Sequence, residues 1–208
     1  MKFFILFWSF ILGTCQSNPN YQKINNNPMD QVNTQTAIFA GGCFWCTEAV
    51  YNQLIGIQSI EPGYIGGTVP NPTYKEICTG TTGHAEAIKV VFDSTKISYQ
   101  DLLEVFFATH DPTTLNRQGA DVGTQYRSEI FYLNEQQKNQ AQEFISWMEK
   151  EQVFNTTIVT KISAAPEFYL AEDYHKNYFE TNPNQGYCRM VVAPKVEKVR
   201  KYFTHKIK

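Results

Sequence analysis

Residues 37–50, "AIFAGGCFWCTEAV", combine a short β-type run, two glycines and the start of a helix. The run "TAIFA" is typical of a strand and ends at Gly41 and Gly42, and apolar residues then recur at helical spacing in "FWCTEAVYNQL". The stretch therefore predicts a strand, a glycine turn and a helix. Cys43 lies where the turn meets the helix, and Cys46 follows three residues later.

Predicted strands and helices alternate along the rest of the chain. Further strands are expected in "GIQSIEPGYIGG", "HAEAIKVVFD", "EIFYL" and "TIVTKI", and further helices in "SYQDLLEVFFATH", "NEQQKNQAQEFISWMEKE" and "AEDYHKNYFETN". Ser98 is a suitable N-cap for the first of these helices. The segment "DPTTLNRQGADVGTQYRS" is typical of a long polar loop, and a basic tail follows Cys188. The pattern predicts a mixed α/β layer sandwich, and no G-x-G-x-x-G fingerprint or P-loop indicates a nucleotide site.

Length and charge limit the class of protein. At 208 residues, the chain is long enough for one domain with a hydrophobic core. Its 18 Lys and Arg residues are scattered and are balanced by 20 Asp and Glu residues, so no basic surface typical of nucleic-acid binding is indicated. We expect a monomer with no nucleic-acid partner.

The first residues resemble an export signal. Lys2 is followed by "FFILFWSFILG", an apolar run too short to span a bilayer and typical of a signal peptide. The ending "LGTC" resembles a bacterial lipoprotein cleavage site, although Thr14 departs from the small residue usual before the cysteine. We expect residues 1–15 to be a signal peptide for export to the periplasm or cell envelope, with Cys15 lipidated as a membrane anchor. The alternative is a cleaved signal peptide in which Cys15 has no role.

A polar segment follows the export signal. Residues 16–35 are rich in Asn, Gln and Pro and nearly free of branched aliphatic residues, so they cannot bury enough surface to fold alone. They are predicted to form a disordered linker. Residues 36–208 contain no internal repeat and no second apolar segment of spanning length, and are predicted to form the folded domain.

The two cysteines of the opening stretch indicate thiol chemistry. Cys43 is expected at a helix N-terminus, where unpaired N–H groups and the helix dipole stabilise a thiolate, so a depressed pKa is expected. Cys46 is expected one helical turn away, close enough to form a disulfide. A zinc site is not indicated, because Cys78, Cys188 and the histidines form no second ligand pair. Cys78 is expected to be a small buried residue.

Six motifs resemble a known family. In order they are "GGCFWCTEAV", "PGYIGG", "PNPTY", "CTGTTGHAE", "HDPTTLNRQGADVGTQYRS" and "AEDYHKNYF". Together they closely resemble the A-type peptide methionine sulfoxide reductases, from about residue 36 nearly to the C-terminus. The resemblance implies an α/β (α+β) two-layer sandwich with a ferredoxin-like core. It also implies reduction of the S-sulfoxide of free or peptide-bound methionine, with no metal or organic cofactor.

The resemblance also assigns roles near the sulfoxide oxygen. Reduction requires a proton donor that stays neutral near pH 7, and Glu86 in "GHAE" matches that position. Tyr74 and Tyr126 match the family's two site tyrosines, whose hydroxyls would hold the oxygen. Asp121 matches its polar substrate-orienting position. Phe44 and Trp45 are expected to form an apolar pocket for the substrate's methyl group.

The expected cycle leaves one question open. Cys43 attacks the sulfur and becomes a sulfenic acid, and a second thiol condenses with it to form a disulfide that a thioredoxin-like reductant reduces. For an exported protein this reductant would be extracytoplasmic. Cys188 is favoured slightly as the first resolving thiol, because a flexible segment would reach Cys43 without straining the helix. Cys46 is the alternative, as a co-resolver or a relay.

Two other functions fit part of this pattern. A general thiol–disulfide oxidoreductase would use Cys43 and Cys46, but that class resembles "CGPC" rather than "CFWC". A surface lipoprotein that binds peptides without catalysis would have lost the nucleophile or the acid. Because Cys43 and Glu86 are both present, the reductase is preferred.

Overall fold

The structure is a computed structural model and describes residues 33–208. The predicted signal peptide, its Cys15 and most of the predicted linker lie outside the described residues. The first strand begins at Thr34, so Thr34 and Gln35 belong to the folded domain and not to the linker. Between residues 33 and 208, no helix combines the length and the apolar character needed to cross a membrane.

The described residues form eight strands and six α-helices, with three short helical turns. The strands are β1 (Thr34–Gly41), β2 (Ile57–Ile65), β3 (Ala85–Asp93), β4 (Arg117–Gln118), β5 (Asp121–Val122), β6 (Ser128–Tyr132), β7 (Lys161–Ala164) and β8 (Phe168–Leu170). The helices are α1 (Phe44–Tyr51), α2 (Tyr74–Ile77), α3 (Tyr99–Thr109), α4 (Glu135–Lys150), α5 (Tyr178–Thr181) and α6 (Ala193–Tyr202). The turns are two 3₁₀ turns, Thr124–Tyr126 and Asp173–His175, and a π-helical turn, Cys188–Val192.

Six strands form one sheet in the order β7-β6-β1-β3-β2-β8. All neighbours are antiparallel except β6 and β7. In the central four, α1 connects β1 to β2 and α3 connects β3 to β6, with one strand lying between the connected pair each time. This split arrangement is the ferredoxin-like core, so the predicted fold class is confirmed.

The helices pack on one face of this sheet. Phe39 of β1 contacts Tyr51 of α1 and Phe106 of α3, with ring centroids 5.6 and 5.2 Å apart. Ile38, the next residue along β1, belongs to a smaller apolar cluster with Phe131. Because successive side chains of a strand point to opposite faces, β1 is buried on both sides. Burial on both sides fixes the end of β1 beneath the glycine turn that holds Cys43.

Three predictions near the C-terminus differ from the structure. The expected helix "AEDYHKNYFETN" is divided into a 3₁₀ turn and α5, because Asn177 adopts a left-handed conformation at φ 52°. The strand expected in "TIVTKI" begins only at Lys161, because Val159 pairs with Pro112 of the polar loop instead. The basic tail forms α6, since Val196 and Val199 give it a buried side.

Candidate active site

The glycine turn places Cys43 at the first turn of α1. Gly42 has a φ of +90°, and a Cβ atom there would lie 2.6 Å from Gln118, so only glycine fits without strain. Cys43 is the N-cap residue of α1 and is buried. Its carbonyl accepts the N–H of Cys46 at 3.1 Å. The predicted strand, turn and helix are confirmed.

Glu86 approaches the same turn from β3. Its side chain is 1% exposed, and its Oε2 accepts the backbone N–H of Phe44 at 3.1 Å. Burial raises the pKa of Glu86 to about 8, although the Phe44 hydrogen bond acts in the opposite direction. At neutral pH, most of the population therefore carries a proton on this carboxyl, next to Cys43.

The pKa of Cys43 contradicts the expected depression. Burial raises the pKa of Cys43 well above its usual range, and the hydrogen bond with Cys46 and the charge of Glu86 act in the same direction. The first N–H of α1, from Phe44, donates to Glu86 and not to the thiol. The positive end of the helix therefore stabilises the carboxylate form of Glu86, and Cys43 is a neutral thiol in the resting protein.

Phe44 and Trp45 lie in an aromatic cluster around His175. The Phe44 ring lies 4.9 Å from the His175 ring, centroid to centroid. Trp45 donates its Nε1–H to His175 Nδ1 at 3.1 Å. Its ring also stacks on the Tyr178 ring, with the centroids 3.8 Å apart and the ring planes at 6° to each other. The indole is therefore held both by its face and by its N–H group.

The two site tyrosines lie on opposite sides of Glu86 in sequence, and both lie near its carboxyl. Tyr74 begins α2, and its ring stacks against Phe44 at 6.5 Å. Tyr126 ends the first 3₁₀ turn and packs on the thiol cluster. Burial raises the pKa of both hydroxyls, and the nearby charge of Glu86 adds to this effect. Both are therefore hydroxyl donors at any physiological pH.

Asp121 is paired with a residue that the sequence analysis gave no role. Tyr187 donates its hydroxyl to Asp121 Oδ2 at 2.5 Å, and the same hydroxyl lies 3.9 Å from Cys46 Sγ. A cavity of about 330 Å³ is lined by Cys43, Cys46, Asp121, Tyr187 and Lys195 among others. Both thiols of α1 therefore face one space together with Asp121.

Three thiols lie in one buried cluster, Cys43, Cys46 and Cys188. The hydrogen bond with Cys43 lowers the pKa of Cys46 to about 7 against the effect of burial, with help from the charge of Lys195. Burial raises the pKa of Cys188. The two candidate resolving thiols are therefore alike in position but opposite in their tendency to ionise.

Two expectations about cysteines were wrong. Cys188 is not in a flexible segment, because it begins a π-helical turn that continues into α6, and its N–H donates to Gln185 Oε1 at 2.9 Å. Cys78 is exposed, not buried, because it caps the end of the short helix α2 at the surface. The sequence offered no pattern long enough to place either residue.

Sequence reasoning missed several contacts of the site. Asp121 is hydrogen-bonded to Tyr187, and Trp45 contacts His175 and Tyr178. The sequence assigned a role to none of these three partners. The available signal was the motif "AEDYHKNYF", which contains the last two, and the position of Tyr187 beside Cys188. Every predicted site residue of the folded domain lies in this one region.

The family model for peptide methionine sulfoxide reductase matches residues 35–207. A Deinococcus radiodurans protein named peptide methionine sulfoxide reductase MsrA is 60% identical over 174 residues, 84% of each chain. A Picrophilus torridus protein of the same name is 55% identical over 168 residues, 81% of this chain and 94% of the relative.

Solved structures agree with the sequence comparison. The reduced form of Mxr1 from Saccharomyces cerevisiae matches with a TM-score of 0.69 at 35% identity, over 76% of this chain and 91% of that one. Methionine sulfoxide reductase A of Corynebacterium diphtheriae matches with a TM-score of 0.64 at 32% identity, over 75% of this chain and 78% of that one. The chain therefore belongs to the peptide methionine sulfoxide reductase family.

Proposed function

We propose that Cys43 reduces the S-sulfoxide of methionine, free or in peptides and proteins, with Glu86 as the proton donor. One observation supports this assignment above the others. A nucleophilic residue type at the start of α1 lies beside a buried carboxyl whose pKa is raised to about 8. A sulfoxide needs both at once, because its sulfur is a weak electrophile until the oxygen receives a proton.

The first step transfers one oxygen atom. The Cys43 sulfur attacks the sulfoxide sulfur while Glu86 donates its proton to the oxygen. The oxygen then forms a bond to the Cys43 sulfur as its bond to the substrate sulfur and the bond between the two sulfurs break, so methionine leaves and Cys43 becomes a sulfenic acid. Methionine is reduced by two electrons and Cys43 is oxidised by two.

Because Cys43 is a neutral thiol in the resting protein, it reacts little when no substrate is bound. Substrate binding favours its ionisation, because the sulfoxide sulfur has a partial positive charge. The Cys43 proton also has an acceptor in the Cys46 sulfur, with which it forms a hydrogen bond. The reactive thiolate is therefore produced mainly where a substrate is present to consume it.

The aromatic residues and Asp121 give the site its shape. Phe44 and Trp45 form the apolar wall that receives the methyl group, and the hydroxyls of Tyr74 and Tyr126 hold the sulfoxide oxygen beside Glu86. Asp121 orients the rest of the substrate once Tyr187 releases it, since the two residues are hydrogen-bonded in the structure.

Cys46 is the first resolving thiol in this proposal. In the reduced protein its pKa is about 7, and two of the groups that lower it, the charge of Lys195 and the Tyr187 hydroxyl, do not depend on the Cys43 thiol; burial instead raises the pKa of Cys188. The Cys46 thiolate attacks the sulfenic sulfur of Cys43 and a disulfide forms, while the oxygen takes up one proton from solvent and leaves as water. The Cys188 thiolate then attacks the Cys46 sulfur of this disulfide, so that a Cys46–Cys188 disulfide forms and Cys43 is released as a thiol. A thioredoxin-like protein supplies the two electrons and two protons that restore the thiols.

Export belongs to the same proposal. The sequence motif at residues 1–15 supports delivery to the periplasm or cell envelope with Cys15 lipidated, and the reductant would then be extracytoplasmic. Mass spectrometry of the envelope fraction tests this, with an N-terminus at modified Cys15 expected. An unprocessed Met1 terminus in the cytoplasmic fraction would contradict it.

The proposed chemistry is tested by a single turnover without reductant, using separated S- and R-sulfoxide epimers. With one equivalent of sulfoxide per chain, we expect about one methionine per chain from the S-epimer, none from the R-epimer, and loss of two free thiols by mass spectrometry. Consumption of the R-epimer, or release of methionine without loss of thiols, would contradict the assignment. Rapid reduction of a protein disulfide by Cys43 and Cys46 without any sulfoxide turnover would instead indicate a general thiol–disulfide oxidoreductase.

A further inference from the structure

Glu48 is a buried carboxyl of α1 that the proposed chemistry does not use. It is 1% exposed, and its Oε1 accepts the backbone N–H of Asn177 at 2.9 Å. Its Oε2 is buried with no hydrogen-bond partner among the described residues. Burying a carboxyl costs free energy that an apolar side chain would not, so the segment it holds is of interest.

Glu48 holds the turn that leads into α5. Asn177 adopts a left-handed conformation there, with φ 52° and ψ 36°, and caps the helix. Because α5 has only four residues, it is too short to be stable without outside contacts. The Glu48 hydrogen bond supplies such a contact from the neighbouring helix. A second contact joins Asn52 Nδ2 of the α1 C-cap to Asn177 Oδ1 at 3.2 Å.

The residues on either side of this turn hold Trp45. Tyr178 stacks on the indole at 3.8 Å, and His175 accepts its N–H at 3.1 Å. Trp45 and Glu48 are three residues apart on α1, so both face the segment 175–178. The hydrogen bond that the Asn177 N–H donates to Glu48 therefore helps to fix the segment that in turn fixes the indole.

We propose that Glu48 is a positioning residue that sets the width of the methyl pocket by holding Asn177 and Tyr178 against Trp45. The proposal rests on the proposed function, in which Trp45 is a wall for the substrate's methyl group. A fixed wall excludes a group larger than methyl, whereas a loosely held wall gives way. Discrimination between methyl and ethyl sulfoxides therefore reports on Glu48, although Glu48 itself does not touch the substrate.

The role requires an acceptor oxygen and not a charge. Burial raises the pKa of Glu48 to about 7, with the charge of Glu180 raising it further and that of Lys176 lowering it. Oε1 accepts the Asn177 N–H whether or not the carboxyl is protonated. The amide oxygen of glutamine offers the same acceptor at the same reach, so Glu48→Gln is expected to preserve the contact and Glu48→Met to lose it.

The experiment measures kcat/KM of the full chain for the S-sulfoxides of methionine and of its ethyl analogue, ethionine. One extra methylene in a fitted pocket typically changes the rate by roughly 10–200-fold. We expect Glu48→Gln to keep the wild-type preference for methyl. We expect Glu48→Met to lower that preference about tenfold, with KM for methionine sulfoxide raised more than kcat is lowered.

A matched control removes a carboxyl that does not hold the turn. Glu180 lies on α5 and is exposed, and it accepts a 3.4 Å hydrogen bond from Asn52 Nδ2 but none from Asn177, so Glu180→Met removes a nearby carboxyl and leaves the Glu48 hydrogen bond in place. The preference of Glu180→Met for the methyl over the ethyl sulfoxide is expected to equal that of the wild type. Unchanged preference in Glu48→Met would overturn the proposal and leave Glu48 a merely stabilising residue. Equal loss of preference in Glu48→Met and Glu180→Met would also overturn it.

A further variant, Glu48→Asp, and the fluorescence of Trp45 distinguish loss of the Asn177 contact from misfolding. Glu48→Asp keeps the buried charge but shortens the side chain by one methylene, so its oxygen no longer reaches Asn177 and the same direction of change is expected. In a Trp8→Phe, Trp147→Phe background, Trp45 is the only tryptophan of the chain, and its fluorescence is expected to shift in Glu48→Asp but not in Glu48→Gln. Unchanged preference and fluorescence in folded Glu48→Asp would overturn the proposal. If the wild type fails to reduce the S-epimer, the proposed function itself is wrong, which is a separate result.

Discussion

The start of α1 and the turn before α6 each place a thiol beside Cys43, yet the two thiols differ in chemistry. Both Cys46 and Cys188 are buried in one cluster with Cys43. Only Cys46 has a hydrogen bond from Cys43 and the nearby charge of Lys195, and its pKa is lowered to about 7. Burial dominates at Cys188 and raises its pKa.

This difference shows that burial alone does not decide which thiol reacts. Two thiols at similar depth are separated by their hydrogen-bond partners and by the charges that face them. The contrast also divides the reaction into a step that depends on Glu86 and a step that depends on Cys46. Substitutions of Cys43 and Glu86 test the first step, and substitutions of Cys46, Cys188 and Tyr187 test the second.

Replacement of Cys43 by serine is expected to have the largest effect, because both other thiols act only through Cys43. Methionine release should fall on the order of 10⁴-fold or more, as for the loss of a nucleophile in other enzymes. Quenched-flow measurement with the S-epimer checks this. A folded Cys43→Ser variant that still releases methionine by way of Cys46 or Cys188 would contradict the contrast between nucleophile and resolving thiols.

Glu86→Gln is expected to slow the first step by about 10²–10⁴-fold, the usual contribution of a general acid. In the wild type, the rate should fall as pH rises above about 8, because Glu86 then loses the proton it must donate. This alkaline fall should be absent in Glu86→Gln, since glutamine does not titrate. The measurement is the single-turnover rate of methionine release from pH 6 to 10.

The Glu86 variant also separates the two steps. Disulfide formation after oxidation of Cys43 by hydrogen peroxide does not need Glu86 as a donor to the sulfoxide, so its rate should change little. Glu143→Gln, on the exposed side of α4, is the matched control and should leave both steps unchanged. Equal slowing of both steps by Glu86→Gln would indicate a general disturbance of the site.

The fold was predictable where local pattern and burial agree. The strand, turn and helix around Gly42 follow from residues close in sequence, and Ser98 caps α3 as predicted, with the capping box formed by Asp101. β8 has only three residues and α6 is largely charged, so neither gives a clear periodic signal. Both elements depend on partners distant in sequence for their stability.

The residues that form the site were predictable from the sequence, but their pKa values were not. The motifs grouped the correct residues, yet the pKa of Cys43 depended on Glu86, which takes the Phe44 N–H from 42 positions away. The reason given for Cys188 as first resolver failed in the same way, because the packing of Val192 and Val196 that makes its segment helical is a tertiary effect. No single stretch of sequence contains either fact.

Cys46→Ser is expected to slow disulfide formation at pH 7 about tenfold, whereas Cys188→Ser should change it less than about twofold. The charge of Lys195 and the Tyr187 hydroxyl lower the pKa of Cys46 and do not depend on the Cys43 thiol, so Cys46 keeps a larger ionised fraction than Cys188 after Cys43 is oxidised. Its lower intrinsic nucleophilicity cancels only part of that gain. The measurement is the decay of the Cys43 sulfenic acid, trapped by dimedone and quantified by mass spectrometry. Cys78→Ser, which removes the exposed thiol, is the control. Slower decay in Cys188→Ser than in Cys46→Ser would reverse the proposed order of the two thiols.

Tyr187→Phe gives the smallest and most selective effect. The Tyr187 hydroxyl lies 3.9 Å from Cys46 Sγ and contributes to its lowered pKa, so its loss should raise that pKa and slow disulfide formation about threefold at pH 7. Because the cause is a smaller ionised fraction, the deficit should disappear as pH rises through 8.5, when both proteins carry mostly thiolate. Tyr202→Phe, which removes an exposed hydroxyl from the end of α6, should leave the rate unchanged at every pH. A deficit in Tyr187→Phe that persists at high pH would place the effect on the geometry of Asp121, the other partner of this hydroxyl, and not on the ionisation of Cys46.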